Sequence, residues 1–600
     1  MQPVNKRIKI VGKTILILTC ILIVSYFALR NFFLDYAFNK IHDKVKSRYN
    51  IEITDAAHSF HGLSTIEFSH LLAVPDKSDT LLKINNIKID IALTDLIFGK
   101  IGFNLIDVDT ISVAIYNNAQ HNNVAFLKKN KSAPADSTET KPKSETSYRE
   151  LADKALSKIF RLLKTDFYLN QFSLIYEDSI RNEHLLIPEI KYDRENITGK
   201  LIKLNSDDND TLIWYGKVIE HKSKYSFTIE DHSSKHNYLP FLNAKKQLNV
   251  SFKKIEGTVE FEDESDTYRI KPDVTFSGLH INHWRLANED VVYENANFNG
   301  AFNITDDAIE IDSASVFRMN AASFKMYVHH ERKPKLLFEL KVDMPVTDAD
   351  SFFNSLPGGM FTTLKGIKTS GTLSYHLNFA IDRNHPDSLT FNSGFEKKNF
   401  RVIRYGAENF ARINNTFIFE AMDGDRKVRD ITVGPESPVF TPLYQISDYL
   451  KYAVMTSEDG TFLYHRGFNE EAFRESIITN YKEKRFARGG STITMQLVKN
   501  CFLNRNKTIS RKAEEALIVW LIENCGLVSK ERMLEVYLNV IEWGPDVYGI
   551  GEASGFYFGK KPLDLTLNES IYLASIVPNP KFFKYSFEDR KSTRLNSSHR

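Results

Sequence analysis

The sequence predicts a multidomain protein: an N-terminal transmembrane helix, a long antiparallel β-rich module and a C-terminal, mostly α-helical domain. The prediction rests on changes of pattern along the chain. An uncharged run, "TILILTCILIVSYFAL" (Thr14 to Leu29), follows a basic N-terminus. From roughly Ile51 to Glu420 apolar residues recur with a period of two, and from about Ser447 to Pro580 the period is helical. Six hundred residues exceed what one hydrophobic core serves, so several domains are expected.

The first element is the apolar run. Lys6, Arg7, Lys9 and Lys13 precede it. With Val11 and a snorkelling Lys13 it approaches the ~20 residues a membrane helix needs. The basic flank places the N-terminus in the cytoplasm and the rest outside. No Ala-x-Ala site follows, so residues 1–30 are expected to remain as an anchor rather than leave as a signal peptide. "NFFLDYAFNKIHDKVKSRYN" then reads as a short amphipathic helix near the membrane surface.

The second element spans residues 31–420. In "IKIDIAL", Ile87, Ile89, Ile91 and Leu93 alternate with polar or small residues. "ISVAIY", "FSLIYED", "GTVEFED", "AIEIDSASV", "LLFELKVDM" and "GTLSYHLNFAI" repeat the pattern between Asn, Asp, Gly and Ser. The 43 Phe and 26 Tyr favour such structure. "KKNKSAPADSTETKPKSETS" (128–147) cannot bury a core and reads as a disordered loop, with a helix after it in "ELADKALSKIFRLLK". The run from "FHGLSTIEFSHLLAVPD" through "ISVAIY", behind a membrane anchor, resembles the N-termini of AsmA-like proteins. That resemblance implies long folded sheets with a lipid-lined groove. Residues 421–446 read as a linker.

Composition excludes several function classes. A net charge of +2 gives no overall pull toward nucleic acid. Cys20, Cys501 and Cys525 permit at most one bridge once Cys20 is placed in the apolar run, and no Cys/His set suggests zinc. Asp-x-Asp occurs at Asp107/Asp109, Asp348/Asp350 and Asp423/Asp425, a scatter that marks it as chance.

The third element, residues 447–588, carries the chemistry. "SEDGTFLYHRG" pairs Glu458 with Asp459 and sets His465 nearby. Adjacent carboxylates repel, which suits one of them to general-base work. "RGGSTITMQLVKN" joins a Gly-Gly-Ser-Thr turn to a helix on which Thr492, Gln496 and Lys499 share a face. Helix N-termini attract anions, and Lys484, Arg485 and Arg488 lie just upstream, so a phosphate-bearing ligand is the natural candidate. No Gly-Lys-Ser/Thr follows the glycines, which excludes a nucleotide P-loop. The bland alternative is a helix cap at Ser491. In "RKAEEALIVWLIE", Arg511 and Glu515 lie at i, i+4, which by itself describes a surface pair of ~0.3 kcal/mol. Gly526 reads as that helix's stop, and Thr566 with Glu569 as a capping box.

These stretches, with "VYLNVIEWGPDVYGIGEASGFYFGKKP", in this order resemble the glycosyltransferase domain of peptidoglycan polymerases, glycosyltransferase family 51, and its monofunctional branch in particular. The resemblance covers about Thr441 to Lys581 and departs at Met495, where the family usually has Gln. It implies a lysozyme-like helical fold and polymerisation of lipid II with inversion and release of polyprenyl diphosphate. Glu458 becomes the base, and Glu515 the second essential glutamate, orienting cations or holding a divalent metal, Mg or Mn. Lys499, Arg511 and Lys512 supply positive charge to the diphosphate. Asp459, His465, Ser491, Thr492, Gln496 and Asn500 complete the substrate-binding set. The implied partners are lipid II, the growing glycan strand, the membrane and other cell-wall synthesis proteins, with no nucleic acid. The implied location is the bacterial inner membrane, with the catalytic domain in the periplasm. The rival reading is an envelope lipid-transport or scaffold protein whose β module does the work. A lytic hydrolase has no need of so many cations. Phe473, Ile477 and Tyr481 form an apolar stripe, followed by Lys482, Lys484 and Arg485, expected to touch the bilayer. Asp589 onward resembles a translated sequencing adapter and is expected to be foreign.

Overall fold

The computed structural model describes residues 3–581 except 56, 98–101, 127–146, 155–164, 194, 205–209, 220–222, 234–238, 240–246 and 425. The 128–147 loop, apart from Ser147, and the tail from Asp589 lie outside the described residues. The chain forms two compact units: residues 1–246, 250–277 and 304–306, and residues 247–249, 278–303 and 307–600.

In the first unit, helix α1 (Pro3–Tyr49) runs unbroken for 47 residues. The apolar run and the expected amphipathic helix are one rod. From Leu16 it is long and apolar enough to cross a membrane. Strands β1 (Ile51–Asp55), β2 (His58–His61), β3 (Thr65–Pro75), β4 (Leu82–Ile91) and β5 (Phe103–Asn117) follow. β3 pairs antiparallel with β1, β2 and β4, and β4 with β5. The expected all-antiparallel arrangement breaks at β6 (Asp166–Asp178), which pairs parallel with β5. A parallel neighbour needs a long crossover, and residues 118–165 provide one. Antiparallel pairing then links Asn196–Lys203, Asp210–Ile219, Lys224–Asp231 and Lys254–Asp263 in turn. Ile87 stands opposite Val108, and Val108 opposite Leu169. These three buried side chains form a local core. β4 ends at Ile91, and Leu93 opens a short helix, α2 (Leu93–Ile97), instead of extending the alternation.

In the second unit an antiparallel meander comprises β7 (Ala322–Glu331), β8 (Leu337–Asp348), β9 (Lys368–Asp382) and β10 (Thr390–Arg404). Helix α3 (Ala349–Asn354) lies between β8 and β9. A bulge in β8 falls between Met344 and Thr347, at Pro345, which has no N–H for the ladder. β11 (Phe417–Asp423) and β12 (Arg426–Val433) form a separate hairpin. Helices α4 (Asp448–Glu458), α5 (Glu470–Glu483), α6 (Ile493–Phe502), α7 (Ile509–Asn524), α8 (Lys530–Val540), α9 (Ile550–Phe558) and α10 (Leu567–Ile576) follow. Leu450, Leu497, Ile518, Tyr537, Trp543 and Leu573 are fully buried among them. The same core continues through Phe352, Leu373 and Phe400 of the α3–β10 region. Gly526 adopts φ +61° directly after α7, as its stop requires. The Thr566–Glu569 capping box starts α10.

The Phe473–Ile477–Tyr481 stripe, expected to face outward, is partly covered, with Phe473 38% and Tyr481 42% exposed. The Phe473 ring packs on Phe391 at 4.7 Å, Ile477 joins a cluster with Ile381 and Leu389, and the Tyr481 hydroxyl reaches the Arg383 carbonyl at 3.5 Å. Lys482, expected at lipid head groups, pairs with Asp387 at 2.7 Å. The β9–β10 end of the meander thus covers part of the apolar face of α5, chiefly at Ile477.

Candidate active site

Glu458 is the last residue of α4, and its neighbour Asp459 leaves the helix with φ −163°. The two carboxylates therefore part. Glu458 is half-buried, whereas Asp459 is buried. Asp459 accepts from His465 Nε2 at 2.9 Å and from the Ile493 N–H at 3.1 Å. The Gly467 N–H donates to His465 Nδ1 at 3.0 Å, so the ring proton sits on Nε2, facing Asp459. Asp459 and His465 thereby brace the start of α6.

Thr492 is internal too. Its hydroxyl donates to the Gly467 carbonyl at 2.7 Å and caps the Met495 N–H at 3.2 Å. The cap is therefore Thr492 and not Ser491. Asp459 and Thr492 thus take the Ile493 and Met495 N–H groups of this helix start. The turn serves packing: a Cβ on Gly490 would lie 3.2 Å from the Phe473 Cα. Met495, the departure from the family pattern, is buried in the core.

One turn into α6, Gln496 Nε2 donates to Glu458 Oε2 at 2.7 Å. The Tyr537 hydroxyl donates to Gln496 Oε1 at 3.1 Å and so fixes which way the amide points. Burial, with the negative charges of Glu458 and Asp459, holds the Tyr537 phenol well above its ordinary pKa, so it stays a donor. Glu458 Oε1 has no partner among the described residues. Tyr537 is a residue the sequence reading missed, although it stands in the quoted "VYLN" stretch.

The cations gather around Glu515, which is 1% exposed. Arg511 Nη1 donates to its Oε2 at 2.6 Å and Lys512 Nζ to its Oε1 at 2.5 Å. The i, i+4 pair is thus a buried one and not a surface pair. Arg511 is steadied by the Asn506 carbonyl at 2.6 Å, and Lys512 also reaches the exposed Ser491 hydroxyl at 3.2 Å. Asn500 Oδ1 accepts from Arg505 Nη1 at 2.7 Å. Lys499, on α6, has its pKa lowered by burial first and by the like charge of Arg505, Arg511 and Lys512, with Glu515 opposing. Arg505, in the loop after α6, was not singled out from sequence; its charge is felt at Lys499 only through the fold. Arg511 and Lys512 on Glu515, with Lys499 and Arg505 in electrostatic reach, leave an excess of positive charge suited to a diphosphate, though Arg505 also feels Glu542.

Such a centre does not suit a protein-held divalent ion. Both Glu515 oxygens are engaged by cations, and among the described residues no group of three or more His, Cys, Asp or Glu could hold a metal.

Residues 426–598 match the transglycosylase family model. A biosynthetic peptidoglycan transglycosylase of Nitrosomonas eutropha is 46% identical over 151 residues, 25% of this chain and 60% of that protein. One from Acinetobacter baylyi is 39% identical over 145 residues, 24% of this chain and 64% of that protein. The chain thus spans less than two thirds of the length of these relatives. The family match begins at the first residue of β12. Every site residue from Glu458 to Tyr537 lies within the matched segment, whereas β7–β11 precede it.

Proposed function

We propose that the transglycosylase domain polymerises lipid II into glycan strands. The acceptor sugar's 4-hydroxyl gives its proton to the unpartnered oxygen of Glu458. The acceptor oxygen then attacks the anomeric carbon of the lipid-linked donor. The bond from that carbon to the diphosphate breaks, the configuration inverts and polyprenyl diphosphate leaves. Lys499, Arg505, Arg511 and Lys512 stabilise the charge that develops on the leaving group, and Glu515 fixes the directions of Arg511 and Lys512. Ser491 and Asn500 bind at the edge of this centre. A divalent ion, Mg or Mn, enters only as a companion of the diphosphate substrate.

The observation that carries the reading is α6 itself. One helix presents Gln496, which holds the base, and Lys499, which belongs to the cation centre. The β region, with its AsmA-like pattern, is a periplasmic module between a single-pass inner-membrane anchor and the catalytic domain. A lipid-transport role in which that module alone works is disfavoured, because it has no use for a fixed base beside four cations. Incubating the full chain with labelled lipid II and resolving the products tests the reading. Glycan chains are expected, and their absence from well-folded protein would overturn it.

A further inference from the structure

Helix α7 carries Arg511, Lys512 and Glu515, yet much of what grips it comes from residues before the family-matched segment. The carbonyls of Arg285 and Leu286 accept its first two N–H groups, Ile509 at 2.9 Å and Ser510 at 2.8 Å. Glu514, 4% exposed, accepts from the Thr363 N–H at 2.6 Å and the Leu364 N–H at 3.3 Å. Phe395 and Phe400 of β10 each pack on Trp520 at 5.3 Å. Lys397 Nζ donates to the Asn524 carbonyl at the last turn, at 2.5 Å. The helix is therefore held at its start, middle and end.

Glu514 and Glu515 are consecutive, so their side chains leave the helix about 100° apart. Glu514 takes hold of the β region while Glu515 faces its two cations. The first contact therefore fixes the helix's rotation, and that rotation sets the direction of the second. At a side-chain radius of ~5 Å, a turn of ~20° moves the carboxylate by roughly 2 Å. A misplacement of about 1 Å in such a site costs on the order of a hundredfold in rate.

We propose that Glu514, docked on the Thr363–Leu364 main chain, is a positioning residue through which the preceding β region aims Arg511, Lys512 and Glu515 at the substrate diphosphate. This rests on the transglycosylase reading above. The test uses the full chain and two substitutions. Glu514→Leu removes the acceptor and leaves two buried N–H groups unpaired, whereas Glu514→Gln retains an acceptor oxygen. On lipid II, Glu514→Leu should lower kcat at least tenfold with a smaller change in KM, because the cations work hardest as leaving-group charge develops. Glu514→Gln should stay within about threefold of the parent. A folded Glu514→Leu protein with parental kcat overturns the proposal, as does an equal loss in Glu514→Gln. If Glu514→Leu fails to fold, Glu514→Asp, whose carboxylate falls short by one methylene, takes its place with the same expectation. Amide hydrogen exchange over Ile509–Glu515 reads the positioning without turnover. Protection should fall in Glu514→Leu and persist in Glu514→Gln; unchanged protection in Glu514→Leu refutes it. A parent chain that makes no glycan yet shows the exchange pattern would sink the enzymatic reading alone.

Discussion

Removing one hydroxyl, in Tyr537→Phe, tests how the base is held. Tyr537 is fully buried, with its hydroxyl 3.1 Å from Gln496 Oε1. Gln496 in turn reaches Glu458 at 2.7 Å. The substitution keeps the ring and its packing, so the loss is confined to the hydrogen bond. Gln496 Oε1 is left without that donor, at a cost of about 1–3 kcal/mol to stability. The amide is then free to turn its oxygen toward the carboxylate. The bond from Gln496 to the charged Glu458 is worth about 1.5–3 kcal/mol. At 1.36 kcal/mol per factor of ten, kcat for chain formation should fall ~10- to 100-fold. Initial rates on labelled lipid II, with thermal melts of the same preparations, measure both effects. A melting temperature lowered by a few degrees with an unchanged rate would show that the Tyr537–Gln496 pair only packs, and would refute the relay. A Gln496→Leu variant should share the loss without adding to it when the two are combined.

Glu458→Gln should abolish polymerisation with an unchanged melting temperature; near-normal chain formation would remove Glu458 as the base. Lys499→Ala and Arg511→Ala should each cut lipid II turnover at least tenfold and matter less for an analogue lacking the diphosphate, whereas equal losses on both ligands would place them elsewhere. Burial raises the Glu514 carboxyl above its ordinary value of 4.5, against the Thr363 side chain and the Thr363 and Leu364 N–H groups, which lower it. The native state therefore binds its proton more tightly than the unfolded chain. That contribution to stability is present below pH 4.5 and is lost as pH rises through the folded-state pKa. Melts of parent and Glu514→Gln from pH 4 to pH 8 should accordingly show the variant gaining relative stability with pH, and a constant difference would contradict this. Phe473→Ser with Ile477→Ser should destabilise the chain by about 1–3 kcal/mol, since Phe473 packs in part on Phe391 and Ile477 on Ile381 and Leu389. Unchanged melting would return the stripe to solvent or lipid.

What the sequence made legible divides along physical lines. Periodicity located the strands and helices because alternation and helical spacing are local properties. The residues that gather at the cation centre, Lys499, Arg511, Lys512 and Glu515, were legible through motif order. Whether a polar residue faces the ligand or the frame is not local. Asp459, His465 and Thr492 hold the start of α6, and only the approach of Gly467 and Ile493 reveals it. Arg505 and Tyr537 enter through tertiary neighbours that no spacing shows. The α5 stripe was correctly apolar, but periodicity cannot say which surface covers it. The same limit hid Glu514, whose partners lie some 150 residues earlier in the chain.

The way α1 is gripped bears on mechanics. The Tyr26 hydroxyl bonds the Leu63 carbonyl and Arg30 the Gly62 carbonyl. Asp35 meets His58, Phe38 lies against Phe68, and Lys46 pairs with Glu52 of β1. Between Tyr26 and Lys46 these grips are spread over ~30 Å of helix. A peptide tether would leave the first strands free to swivel on the anchor. A helix clasped at three heights transmits torque instead, so any tilt or rotation of the rod is passed to β1–β3 as a lever passes it to its load. Helix α1 steers the first strands as well as leading into them.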